Sequence, residues 1–120
     1  MEERKNGVAN IIEEKSFAFA IRIVNLYKHL NKSKQEFVLS KQLLRSGTSV
    51  GANVAEAEQA QSTPDFISKM SIALKEASET KYWIKLLAST HYLTETEATS
   101  ILNDCVELEK ILVSIVKSSK

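Results

Sequence analysis

The sequence predicts an all-α fold, an antiparallel up-down-up-down four-helix bundle, on three observations. Apolar residues recur at helical spacing in four long stretches separated by short polar breaks. Three glycines and one proline in 120 residues leave few turns, which favours a few long elements over many short ones. Two of the breaks, Ser62–Asp65 and Thr94–Glu97, carry helix-start signals. The helices are expected at about 11–30, 35–61, 64–89 and 95–116, in a single domain with connections of a few residues.

The first helix rests on two apolar rows. Ile12, Phe19, Ile23, Leu26 and Leu30 form one, and Phe17, Ala20, Val24 and Tyr27 run beside it, together a stripe wide enough to face a core. Asn31-Lys32-Ser33-Lys34 reads as the polar turn that ends it. In the second helix Leu43, Gly47, Val50, Val54 and Ala57 mark the inner row. Gly47, Gly51 and Ala55 lie four apart, a ridge without bulk. Each glycine costs about 1 kcal/mol of helix propensity relative to alanine, so two of them imply a close neighbour that compensates.

Thr63 reads as a cap for the third helix, with Pro64 at its first position and Asp65 at the positive end of its dipole. Phe66, Met70, Ala73, Ala77, Ile84 and Leu87 should then point inward. Thr94 followed by Glu97 has capping-box spacing. It opens a fourth helix with Ala98, Ile101, Leu102, Cys105, Leu108, Leu112 and Ile115 on one face, and Lys117-Ser118-Ser119-Lys120 reads as a frayed tail.

Composition narrows the function more by exclusion than by assignment. Hydrophobic residues make up 43% and charged ones 26%, the balance of an ordinary globular protein. No apolar run approaches the ~20 residues of a membrane span. The N-terminal MEERKNGVANIIEEKSF lacks a signal-peptide core, so a cytoplasmic location is expected. Cys105 is the only cysteine, which rules out an internal disulfide and a multi-cysteine zinc site. The net charge of +1 forces neither a nucleic-acid nor a membrane partner. Charge is unevenly spread, however. From Arg22 to Arg45 the cations are Arg22, Lys28, Lys32, Lys34, Lys41 and Arg45, against one acid, Glu36. From Glu95 to Glu109 there are five acids and no base. The two runs read as solvated surfaces, or as faces of opposite sign.

Catalytic signals are thin. His29 and His91 stand in no metal-binding arrangement, and Gly47-Thr-Ser-Val-Gly51 lacks the lysine of a phosphate loop. No cofactor is expected. Arg22 and His29 lie seven apart, hence on one helix face. That spacing resembles the arginine-to-histidine motif of HEPN ribonucleases, although here it sits on the first helix rather than a late one.

Arg45, Ser49, Asn53 and Glu56 form a polar row beside the small-residue ridge. Antiparallel pairing about the turn near Ser62 places Arg45 opposite Glu79 or Thr80, and Ser49 opposite Glu76. The row reads as a structural network that fixes register, or as a surface for a partner or ligand. Tyr82, Trp83 and Tyr92, beside Lys81 and Lys85, read as the closure of a bundle end or a subunit contact, and alternatively as a platform for unpaired bases.

The run QLLRSGTSVGANVAEA, with PDFISKMSIALKEASETKYWIKLLASTHYL after it, resembles the bacterial 23S ribosomal RNA intervening-sequence proteins, from about Phe17 to Leu112. Gln42, Leu43, Arg45, Ser49, Asn53, Ala55 and Glu56 match that family's helix-two string. Glu76 and Thr80 match the helix-three string, and Glu79 is offset from it. The chain departs where the family's glycine is Ala57 and where Gly51 replaces a larger residue. The resemblance implies a four-helix bundle that assembles into a homo-oligomer, commonly a pentameric ring. Related accessory variability proteins of diversity-generating retroelements are basic and bind nucleic acid. The implied role is a non-enzymatic scaffold or accessory to an RNA or ribonucleoprotein partner. Two alternatives stand beside it: a direct nucleic-acid contact through Arg22, Lys28, Lys32, Lys34 and Lys41, and a ribonuclease using Arg22 and His29.

Overall fold

The computed structural model describes residues 8–120, with side chains from Asn10 onward; the charged N-terminal residues 1–7 lie outside the described residues. Four helices follow one another: α1 (Val8–Lys34), α2 (Leu39–Ala57), α3 (Thr63–Ser89) and α4 (Glu95–Ser119). Among the described residues there is no strand. Each helix packs on its two neighbours and not on its diagonal, so the bundle is square in section, and α1–α4 is its thinnest seam. The longest extent, 44 Å, is close to the ~40 Å that a 27-residue helix spans.

The core follows the apolar periodicity. Ile12, Phe19, Ile23, Leu30, Leu43, Val50, Val54, Phe66, Met70, Ile84, Leu87, Leu108 and Leu112 are at most 3% exposed. Phe17 departs from its expected place in the second row and stands 68% exposed. The buried position beside it belongs to Ser16, whose backbone carbonyl lies under Gly51 and leaves no room for a ring.

Helix ends depart from the sequence expectation in instructive ways. The polar run Asn31–Lys34 continues α1 instead of ending it, since solvated side chains do not interrupt a helix. The chain turns one residue later, where Gln35 takes φ 53° and the amide of Glu36 reaches back to the Leu30 carbonyl at 2.9 Å. α2 then begins at Leu39 rather than 35 because the Glu36 side chain caps it. Its carboxylate accepts from the amides of Val38, Leu39 and Ser40, the last at 2.7 Å. Burial works to raise the pKa of this carboxyl, but those backbone donors outweigh it and hold the pKa below the usual range.

Ser62, not Thr63, caps α3: extended at φ −156°, it accepts from the Asp65 amide at 3.1 Å. α3 closes on His91, whose φ of 70° lets the amides of His91 and Tyr92 return to Ala88 and Leu87, a Schellman closure. Thr94 and Glu97 form the expected capping box. Lys117–Ser119, expected to fray, extends α4 by another turn.

Candidate functional site

The small-residue ridge of α2 faces α1. A Cβ on Gly47 would come within 2.7 Å of the Ile23 side chain, and one on Gly51 within 3.3 Å of the Ser16 carbonyl oxygen. The two glycines thus supply the close approach that their helix cost requires. Ala55, the third member of the ridge, is exposed and lines a shallow groove between α1 and α2 with Phe17, Ala20, Thr48 and Ala52.

The polar row faces α3, but only Arg45 and Glu56 reach across to it, and they do so separately. The Arg45 guanidinium spans Glu76, at 3.3 Å, and Glu79. Glu79 also accepts from the Trp83 indole at 2.9 Å, and the Tyr82 ring stands edge-on to Trp83 at 5.1 Å. The indole donor and then Arg45 hold the Glu79 carboxyl below its ordinary pKa, and the bond to Glu79 raises that of Arg45. Ser49 and Asn53 do not join. Each hydroxyl or amide donates one turn back along its own helix, to the Arg45 and Ser49 carbonyls at 2.6 and 2.8 Å. Glu56 pairs separately with Lys69 at 3.0 Å.

One residue of this seam, Ser46, escapes the sequence reading, which sets Thr80 opposite Arg45 instead. Ser46 and Thr80 are fully buried and their hydroxyls bond to one another at 2.9 Å. The signal was present, because both fall on facing positions of the register that pairs Arg45 with Glu79.

The acidic run of α4 is distributed between its two neighbours. Toward α1, Glu107 pairs with Lys15 at 3.2 Å and Asp104 with Arg22 at 2.6 Å. Toward α3, Glu109 meets Lys81 at 3.0 Å and Ser78 at 2.8 Å. Arg22 also donates to the Ser100 carbonyl and hydroxyl. His29 Nε2 lies 3.9 Å from Glu97, which is itself committed to its capping box. Arg22 and His29 therefore share a face, but that face is turned onto α4 and the arginine is bonded to Asp104 and Ser100. Among the described residues no three of His, Cys, Asp or Glu converge in metal-ligand geometry.

Lys28, Lys32, Lys34 and Lys41 gather at the end of the bundle where α1 turns into α2. All four are exposed, and among the described residues none makes an ion pair within 4 Å. Phe37 and Val38, 53% and 71% exposed, project from the turn between them. Of the predicted contact residues, Arg22 alone is drawn away from this group. No described helix is long and apolar enough to cross a membrane.

Comparison with known proteins agrees with this architecture. Residues 9–114 match the family described as 23S rRNA-intervening sequence protein. A crystal structure from Bacteroides thetaiotaomicron, of a protein of unknown function from the S23 ribosomal protein family, is 58% identical in sequence. It superposes with a TM-score of 0.92 over 92% of this chain and 99% of its own. No curated protein matches the sequence.

Proposed function

The chain belongs to the 23S rRNA-intervening sequence protein family, and we propose that it works as a non-enzymatic, self-associating bundle, a scaffold or accessory for an RNA or ribonucleoprotein partner. One observation carries this reading. Of the large apolar side chains exposed among the described residues, Ile11, Phe17, Ile21, Phe37 and Val38 all fall on α1 and the turn after it, and Tyr82 alone lies elsewhere. Apolar surface concentrated on one side of a bundle marks an interaction site. The engagement of Arg22 by Asp104 and Ser100 speaks against the ribonuclease alternative. Sedimentation at micromolar concentration should give a discrete oligomer; a monomer would count against self-association. RNA cleavage, if any is seen, should survive His29→Ala.

The four exposed lysines, none of them in an ion pair within 4 Å among the described residues, favour a second element, contact between the α1–α2 end and RNA phosphates. Binding should weaken steeply with salt, by a logarithmic slope of ~0.7–0.9 for each phosphate neutralised. Lys32→Glu with Lys34→Glu should flatten that slope by about two contacts, and no binding at low salt would remove this element.

A further inference from the structure

The turn between α1 and α2 presents an aromatic ring among cations. Phe37 is 53% exposed, although the backbone around it is fixed. The Glu36 amide reaches back to the Leu30 carbonyl at 2.9 Å, and the Glu36 carboxylate accepts from the amides of Val38, Leu39 and Ser40. None of these bonds uses the Phe37 side chain, so a rigid turn holds the ring outward. The same bonds occupy the one acid between Arg22 and Arg45. Lys28 and Lys32 stand one turn apart on one face of α1. Lys41 lies in the first turn of α2, where the helix dipole disfavours a cation. None of the three is ion-paired within 4 Å among the described residues, and Lys34 is within electrostatic reach of Glu97 on α4. The aromatic pair on α3 is placed differently. Trp83 gives its indole N–H to Glu79, Tyr82 stands edge-on to it, and Lys81 alongside is paired with Glu109.

We infer that this turn binds an unpaired RNA base on the Phe37 ring, with Lys28, Lys32 and Lys41 holding the phosphates on either side of it. A ring face stacks on any base that is splayed out of a helix, and lysines along the backbone supply the rest of the binding. An A-form duplex keeps its bases stacked inside and offers the turn its phosphates alone. A turn whose backbone is already fixed spends little ordering on binding. The inference rests on the RNA contact proposed above and adds which form of RNA is taken, a single-stranded loop or end in place of a helix.

Fluorescence anisotropy of the full chain with a labelled oligouridine, and with a blunt RNA duplex of the same length, tests it. The single strand should bind more tightly. Phe37→Leu keeps the apolar bulk and removes the flat ring. It should lose about fivefold for the single strand, the low end of one stacked base, with the salt slope and the duplex affinity unchanged. Phe37→Trp should bind the single strand at least as well as the wild type, and sedimentation should show both variants in the wild-type assembly. No binding of either RNA at low salt overturns this inference together with the RNA contact. Equal, salt-steep binding of both forms, with Phe37→Leu indistinguishable from the wild type, overturns the stacked base and leaves the phosphate contact standing. A Phe37→Leu assembly that comes apart while its RNA affinity holds assigns the ring to a contact between copies, and overturns the inference as well.

Discussion

The two sides of α2 are held by unlike means. Toward α1 the contact is dry and close along the glycine ridge: Gly47 lies against Ile23 and Gly51 against the Ser16 backbone, and no ion pair crosses among the described residues. Only near the turn does the Asn31 amide donate to the Ser40 hydroxyl, at 3.5 Å. Toward α3 the same helix sets Arg45 against Glu76 and Glu79, Ser46 against Thr80, and Glu56 against Lys69. Close packing with few polar partners fixes how near two helices come but tolerates sliding. Hydrogen-bonded pairs on a shared register add less stability and fix where along the axis the helices stop.

The largest effect should come from the dry side. Ile23→Ala should cost about 2–5 kcal/mol in chemical denaturation, since it empties a fully buried site. Gly47→Ala should destabilise the native background, where overpacking of ~1–3 kcal/mol exceeds the ~1 kcal/mol gained in helix propensity. In an Ile23→Ala background the same change should become stabilising. A double-mutant cycle with no coupling would refute the contact.

On the polar side Thr80→Val should cost about 1–3 kcal/mol by leaving the buried Ser46 hydroxyl only its longer bond to the Leu43 carbonyl, at 3.4 Å, and the double change with Ser46→Ala should cost less than the sum. Arg45→Ala should cost less, about 1 kcal/mol at low salt, because the guanidinium is half exposed and screened. It should also flatten the acid limb of the stability curve. Glu79 has a lowered folded pKa, so its contribution is present above the unfolded value of ~4.3 and is lost as pH falls through the folded one. Glu36 adds to that limb with the same sign, independently of Arg45. Gly51→Ala should be the mildest, within ~0.5 kcal/mol of neutral, as the shift demanded of the Ser16 carbonyl offsets the propensity gain.

What could be read from the sequence divides along the same line. Periodicity finds Ile23, Val50 and Met70 because burial repeats with the helix. The Thr94–Glu97 box is legible because its two bonds are local. The opposition of Arg45 and Glu79 is legible because one turn sets the register of α2 and α3. Ser49 and Asn53 were misplaced because either side chain has a backbone acceptor within its own helix, a choice that spacing cannot reveal. The partners of Asp104 and Glu107 depend on closing the bundle between α1 and α4, the pair most distant in sequence. The start of α2 is not legible because a carboxylate three residues ahead of it does the capping, and the end of α1 is not because the polar run Asn31–Lys34 stays helical up to Gln35.

Cys105 has a use that follows from where it sits. Burial pushes its thiol up to about 12, and its S–H is given to the Ala77 carbonyl at 3.2 Å. Neutral-pH thiolate chemistry is therefore closed to it until α3 and α4 part. Its rate of labelling by a disulfide reagent then becomes a clock for that opening, and pulse labelling across the stability variants would show whether a seam comes apart alone or only with the whole bundle.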